Sequence, residues 1–189
     1  MTARIDHSGA ANEPAQEVVL TDGRRVRIRP VRASDLAIHT AFVGKLSFQT
    51  GYMRLLSPRK PQADELRRMT DVDPARELAL IATASTSGVE VEEIGVARYI
   101  RGDTPETADQ AEFAVVIADA WQRCGLAETL LRLLIDAARK AGIKRLADVT
   151  MYDNIAMLSL ARKLGFQTRR VVGDGNVTRI LLDLANLKH

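Results

Sequence analysis

The chain of 189 residues predicts one mixed α/β domain, with a mainly antiparallel central sheet flanked by helices. Three observations point there. Short apolar runs bounded by turn residues recur along the length, stretches with helical spacing fall between them, and the apolar share of 46% suffices for a single substantial core. Residues 1–16, rich in Ala, Asn, Glu and Gly, lack any periodicity and read as a disordered tail, leaving 17–189 as the domain.

The elements follow in order. Runs at 17–20 and 25–28 flank Thr21-Asp22-Gly23 and predict a hairpin closed by Pro30. Ser34 and Asp35 can start a helix continuing through Leu36, Ala41, Phe42 and Leu46, and a shorter helix is expected over 62–69, after Pro58 and Pro61. Apolar runs at 78–83 and 93–100, parted by a turn region at 85–89, predict two antiparallel strands, with 101–109 as the loop beyond them. A further strand over 112–117 leads to a helix over 125–141. There Leu126, Leu130, Leu133, Leu134, Ala137 and Ala138 form the apolar face, Glu128, Arg132, Asp136 and Lys140 the polar one, and Gly142 the stop. Residues 145–150 predict a strand. Asn154 can cap a helix running to Leu164, ended by Gly165-Phe166, and a last strand pair is expected at 166–172 and 177–184.

The junction between strand 112–117 and its helix, Gln122-Arg123-Cys124-Gly125-Leu126-Ala127, carries the clearest chemistry. The first N–H groups of a helix lack intrahelical partners and sit at the positive end of its dipole, so a glycine turn there can surround a pyrophosphate with donors. The same hexapeptide also suits a plain turn before a surface helix. Neither Gly-x-Gly-x-x-Gly nor a phosphate loop ending in Gly-Lys-Ser/Thr is present, which disfavours dinucleotides and nucleoside triphosphates.

Gln-x-x-Gly-x-Ala between a strand and a helix, carried by Gln122, Gly125 and Ala127, resembles the coenzyme A pyrophosphate loop of the GNAT family of N-acetyltransferases. The order of elements is similar too, from about Val26 onward. The resemblance implies a GNAT-like fold with acetyl-CoA as acyl-donor substrate. It implies pyrophosphate contacts from Gln122, Arg123, Cys124, Gly125, Leu126 and Ala127, with the pantetheine arm along the backbone of Val115, Val116 and Ile117 and near Asn154. Within the family, three stretches resemble the branch of lysine acetyltransferases that modify acyl-CoA synthetases. They begin at Ile28-Arg29-Pro30, Leu46-Ser47-Phe48 and Ala111-Glu112-Phe113. That branch implies a protein lysine as acceptor, Glu112 as general base and direct transfer in a ternary complex.

The chemistry shows why a base is needed. With a pKa of ~10.4, only about one lysine in 2,500 is neutral at pH 7, equivalent to ~4.6 kcal/mol of barrier, and a carboxylate can remove the proton directly or through water. Glu112 also reads as a solvated strand-start charge or an ion-pair partner, and Asp109, Glu92 and Glu93 are competing carboxylates. A backbone N–H beyond Glu112 could stabilise the oxyanion. Many relatives place an acidic Tyr where this chain has Ala161. A thiol leaving group with pKa ~8.5 departs as thiolate for only about 2 kcal/mol near pH 7, so its absence is tolerable, and Tyr152 is a nearby substitute. Cys124 suits packing better than nucleophilic catalysis, since no His or second carboxylate is marked as its partner. Tyr52 and Arg54 match the branch's Ser-x-x-Ser-x-Tyr-x-Arg pattern in part, with Thr50 for the second Ser, and Arg123, Arg162 and Lys163 are candidate phosphate contacts. Two other functions remain open: acetylation of a small amine, and a coenzyme-binding regulatory protein with weak turnover.

Composition narrows the classes further. The net charge of +3 comes from 27 basic and 24 acidic residues that are interspersed, which disfavours nucleic acid. One cysteine excludes an intramolecular disulfide framework and a thiolate metal cluster, and no metal is expected. No stretch suits a signal peptide or a membrane span, so the cytoplasm is the expected location.

Overall fold

The computed structural model describes residues 15–55, 59–86, 89–171 and 173–185, so nearly all of the expected tail lies outside the described residues. β1 (Gln16–Val19) and β2 (Arg25–Pro30) form the expected hairpin, and a 3-10 turn at Ala33–Asp35 enters α1 (Leu36–Lys45). α2 (Phe48–Leu55) and α3 (Ala63–Thr70) follow, then β3 (Glu77–Thr86), β4 (Val89–Arg101) and β5 (Gln110–Ile117). α4 (Leu126–Lys140), β6 (Arg145–Met151), α5 (Ile155–Lys163), β7 (Gln167–Val171) and β8 (Asp174–Asp183) complete the chain. α2 is the one helix without a counterpart among the expected elements.

All eight strands join one sheet in the order β1-β2-β3-β4-β5-β6-β8-β7. Every neighbouring pair is antiparallel except β5 and β6, which run parallel with α4 as the crossover between them. The parallel register is short: Gln110 faces Arg145, Ala111 faces Leu146, Glu112 faces Ala147, and there it ends. β5 stays paired to β4 through Ile117, so beyond Glu112 the sheet forks.

Helices cover both faces of β2 to β5. On one face α4 places Leu130, Leu131, Leu134 and Ala138 in full burial with Leu146 and Ile180, and Phe113 and Phe166 meet at 5.0 Å. Each such leucine contributes roughly 1.5–3 kcal/mol through burial. On the other face α1 sets Phe42 against Val31, Ala79, Ile81, Val96 and Val116. Two pairs of ionisable side chains are buried beside it. Arg29 grips Asp35 with Nη1 and Nη2 at 2.7 and 2.9 Å, and His39 Nδ1 lies 3.0 Å from both oxygens of Glu93. Burial pushes the Glu93 carboxyl above its ordinary range despite the pull of His39.

The far side of the fork is built differently. Leu146, Thr150, Thr178, Ile180 and Leu182 face the helices and are buried. Strand alternation sends Ala147, Val149, Met151, Val177, Arg179 and Leu181 to the opposite face. Among the described residues, α2 at the margin is the helix with appreciable contact there.

Candidate active site

A cleft of about 1030 Å³ opens where β5 and β6 part. β5 contributes Ala114 to Ile117, β6 contributes Asp148 to Thr150, and the entry of α4 contributes Gln122, Arg123, Gly125 and Ala127. The start of α5 supplies Asn154 and Met157, while Ser47, Thr50 and Met53 bring in α2.

The backbone lining β5 can be read from its pairing. Ala118 donates its N–H to Ile94 O at 2.9 Å, so Val116 and Ala114, of the same parity, also turn their backbone groups toward β4. Val115 and Ile117 therefore present N–H and C=O to the fork, where β6 has already diverged. Of the three residues expected along the donor's arm, Val116 offers its side chain to the α1 core and its backbone to β4.

The loop into α4 is held open from outside. Gly125 is the N-cap with φ of 86°, and Arg123 before it has φ of 60°, both left-handed. Glycine suits this place twice over, because a Cβ at Gly125 would be strained by that φ and would stand 3.1 Å from Thr21 Cγ2. Thr21 donates its N–H to Cys124 O at 3.1 Å, and Arg24 lies 3.9 Å over the Trp121 ring. The β1–β2 turn thus braces the loop. The first i→i−4 bond of α4 is Thr129 N–H to Gly125 O at 3.0 Å, which leaves the N–H groups of Leu126, Ala127 and Glu128 available at the helix's positive end.

The side chains of the expected loop residues divide. Cys124 is buried, its thiol 2.8 Å from Trp121 O, and Leu126 is buried in the core, so both can serve only through backbone. Gln122 spans from Thr50 Oγ1 to Ile117 O, each at 3.3 Å, which ties the loop to α2 and β5. Arg123 is exposed on the cleft wall. Lys163 also lines the cleft, but it pairs with Glu128 at 2.6 Å; with Arg132 it holds that carboxyl below its ordinary range. Asn154 accepts from Met157 N–H at 3.2 Å as the α5 cap and donates to Thr150 Oγ1 at 3.0 Å, so the capping role and a position on the cleft coincide.

Glu112 is exposed and lies just outside the cleft lining, at the last paired residue before the fork. It shares a strand face with Ala114, two residues on. The competing carboxylates are occupied elsewhere: Asp109 pairs with Lys144, Glu92 with Lys45, and Glu93 with buried His39. Tyr152 lies outside the cleft lining, with Arg170 5.8 Å over its ring, and Ala161 is fully buried. Tyr52 stacks on exposed Phe48 at 6.1 Å, and the Arg54 side chain falls outside the described residues.

Sequence reasoning missed the α2 wall and the acid that holds it. Asp119 accepts from Ser47 N–H at 3.0 Å, from Ser47 Oγ at 2.7 Å and from Thr50 Oγ1 at 2.7 Å. Ser47 Oγ in turn accepts from Thr50 N–H at 3.2 Å and so caps α2. Partial burial pushes the Asp119 carboxyl up, but these hydrogen bonds outweigh it and hold the group below its ordinary range. Ser47 as a possible cap was the available signal; Gly51 within the helix obscured it.

Residues 25–167 match the family model described as an acetyltransferase (GNAT) domain. The chain belongs to the GNAT family. It is 35% identical to a Pseudomonas aeruginosa acetyltransferase over 88% of this chain and 87% of that protein. It is 28% identical to Acetyltransferase Pat of Mycolicibacterium smegmatis over 78% of its own length, which spans 43% of Pat. Its fold superposes on the GNAT domain of S. lividans PAT with a TM-score of 0.80 and 29% identity, covering 96% of this chain and 99% of that one. The mixed, mainly antiparallel sheet flanked by helices is the GNAT fold, and the PAT-like resemblance read from the sequence is borne out.

The GNAT protein is thus an N-acetyltransferase with acetyl-CoA as acyl donor. Its own residues fit that substrate: Val115 offers its N–H and C=O and Ile117 its N–H to the fork, the α4 entry offers N–H donors, and the cleft between them is large enough for an extended arm. Among the described residues no three His, Cys, Asp or Glu converge as metal ligands, and no helix is long and apolar enough to cross a membrane.

Proposed function

We propose that this GNAT enzyme acetylates a protein lysine by direct transfer, with Glu112 as general base, in the cytoplasm. The observation that carries it is the position of Glu112. The carboxylate stands exposed where β5 and β6 separate, beside the donor cleft and on a sheet face open to a large acceptor. The match of the Ala-Glu-Phe-Ala stretch to the lysine-acetylating branch, and the similarity to Pat and to the S. lividans PAT domain, support the same reading.

In this scheme the chain binds the donor's pyrophosphate with the N–H groups opening α4 and aligns its arm along Val115 and Ile117. Glu112 takes the proton that keeps the acceptor amine from attacking. A backbone N–H of β5 turned to the fork holds the negative charge that develops on the carbonyl oxygen. With Ala161 buried at the usual acid position, the leaving thiolate departs without a protein donor.

The test is thiol release from acetyl-CoA by the purified protein, supplied either with an AMP-forming acyl-CoA synthetase or with a panel of small amines. Release that depends on the synthetase and leaves acetyl-lysine on it is the expected result. Release with small amines alone moves the enzyme to small-molecule acetylation, and coenzyme binding without release under any acceptor marks a regulatory protein.

A further inference from the structure

The fork also borders a sheet face that runs from Glu112 away from the transfer site, across β6, β8 and β7. Register and alternation place Glu112, Ala147, Leu181 and Gln167 in one row across β5, β6, β8 and β7, all on the open face. The next row along that face is Val149, Arg179 and Arg169. Arg169 and Arg179 are thus directly opposed across the β7–β8 ladder, and both are exposed. Like charges facing each other across a strand pair destabilise a sheet. Among the described residues neither guanidinium has a hydrogen bond or ion pair to offset this. Arg145, on the same face, differs: the register sets Asp183 opposite it.

The row beside Glu112 is half-buried and apolar, through Ala147, Val149 and Leu181, with no helix packed broadly over it among the described residues. An extended segment can lie on such a surface, and two uncompensated arginines at its far side select for negative charge. We propose that this face docks an acidic stretch of the acceptor protein, read by Arg169 and Arg179 while the target lysine reaches Glu112. The proposal rests on the lysine-acceptor reading above.

The spacing makes it specific. Strands lie ~4.8 Å apart and residues advance ~3.3 Å along a strand, so Arg179 is about 12 Å and Arg169 about 16 Å from Glu112 between Cα positions. An extended acceptor covers that distance in roughly four to five residues. The acidic residues belong about four and five positions from the modified lysine.

The probe is a dye-labelled peptide with a central lysine and glutamates four and five residues away on either side, compared with the same peptide carrying glutamines. Binding is read by fluorescence anisotropy, and acetyl transfer separately by thiol release. The wild type is expected to bind the glutamate peptide roughly tenfold more tightly, the gain expected of two exposed ion pairs. The R169A/R179A variant should lose that preference while still turning over whichever uncharged acceptor the wild type uses. Equal binding of the two peptides, no binding of either, or a preference surviving in the variant overturns the docking proposal. So does tighter arginine-dependent binding of an oligothymidine, which would assign the face to nucleic acid. Arginine-dependent glutamate-peptide binding without acetyl transfer upholds the docking face and sinks the lysine reading.

Discussion

The two sides of the fork handle charge in opposite ways. Between β2 and β5, helices cover both faces, and the ionisable groups buried there face partners: Arg29 holds Asp35 with two bonds, and His39 holds Glu93. On the β6–β8–β7 side, one face has no helix packed broadly over it among the described residues, and it sets Arg169 against Arg179. A charge taken out of water without a partner costs several kcal/mol, so a covered half must answer its charges internally. A bare face carries no such demand. Charges that are mutually answered belong to stability, and those left unanswered, Glu112 among them, are free to meet a substrate.

The largest effect expected from that division is catalytic. Removing the proposed base with Glu112→Gln should lower kcat by roughly 100- to 10,000-fold and leave the melting temperature and acetyl-CoA binding close to wild type. A variant that instead unfolds, or retains full turnover, would break the assignment of Glu112 to chemistry.

Asp35→Asn should show the reverse pattern, costing about 3–5 kcal/mol of stability by removing the buried negative charge that Arg29 grips with two hydrogen bonds. Urea unfolding measures it, and pH supplies a second reading. Burial raises the Asp35 carboxyl, but the hydrogen bonds from Arg29 and the Arg32 N–H outweigh burial and hold it low. The folded pKa being below the unfolded value of ~3.9, the stability it confers is complete above that value and is lost as pH falls through the folded pKa. The wild type should show this acid-limb loss, and the Asn variant should lack it.

Asp119→Ala probes the seam between the two halves. The carboxylate anchors the capped start of α2 to the segment that leads into α4, so its loss should cost about 1 kcal/mol and raise the KM for acetyl-CoA roughly fivefold with kcat retained. Steady-state kinetics with varied acetyl-CoA decide it. The smallest expected effect is a gain: Arg169→Glu turns the opposed arginines into a cross-strand ion pair and should stabilise the fold by about 0.2–1 kcal/mol. A calorimetric melting curve that moves downward would show that the opposition carries no strain.

Most of the fold was legible before the structure was known, and the reason is locality. The apolar spacing of Leu126, Leu130, Leu134 and Ala138, the stop at Gly142 and the cap at Asn154 act within a few residues, and the structure has each in its expected role. Gln122, Gly125 and Ala127 marked a loop that lines the cleft for the same reason. What stayed hidden depends on distance. Asp119 meets Ser47 across 72 positions, and no local pattern announces it. The fork is a property of register, set by where β6 leaves β5, and the opposition of Arg169 to Arg179 exists only once β7 and β8 pair. The amide partners of Gln122, Thr50 and Ile117, lie on separate elements, so no local pattern announces those bonds either.

Val115 and Ile117 sit near the middle of an eight-stranded sheet, where backbone amides are ordinarily the slowest in the molecule to exchange with deuterated solvent. The fork strips their N–H groups of a strand partner, so in the free protein they should exchange far faster than those of Val116 and Ala114, their immediate neighbours in the same strand. An odd–even alternation of fast and slow amides along one central strand would be the isotopic signature of this sheet, and it should flatten when acetyl-CoA closes the gap.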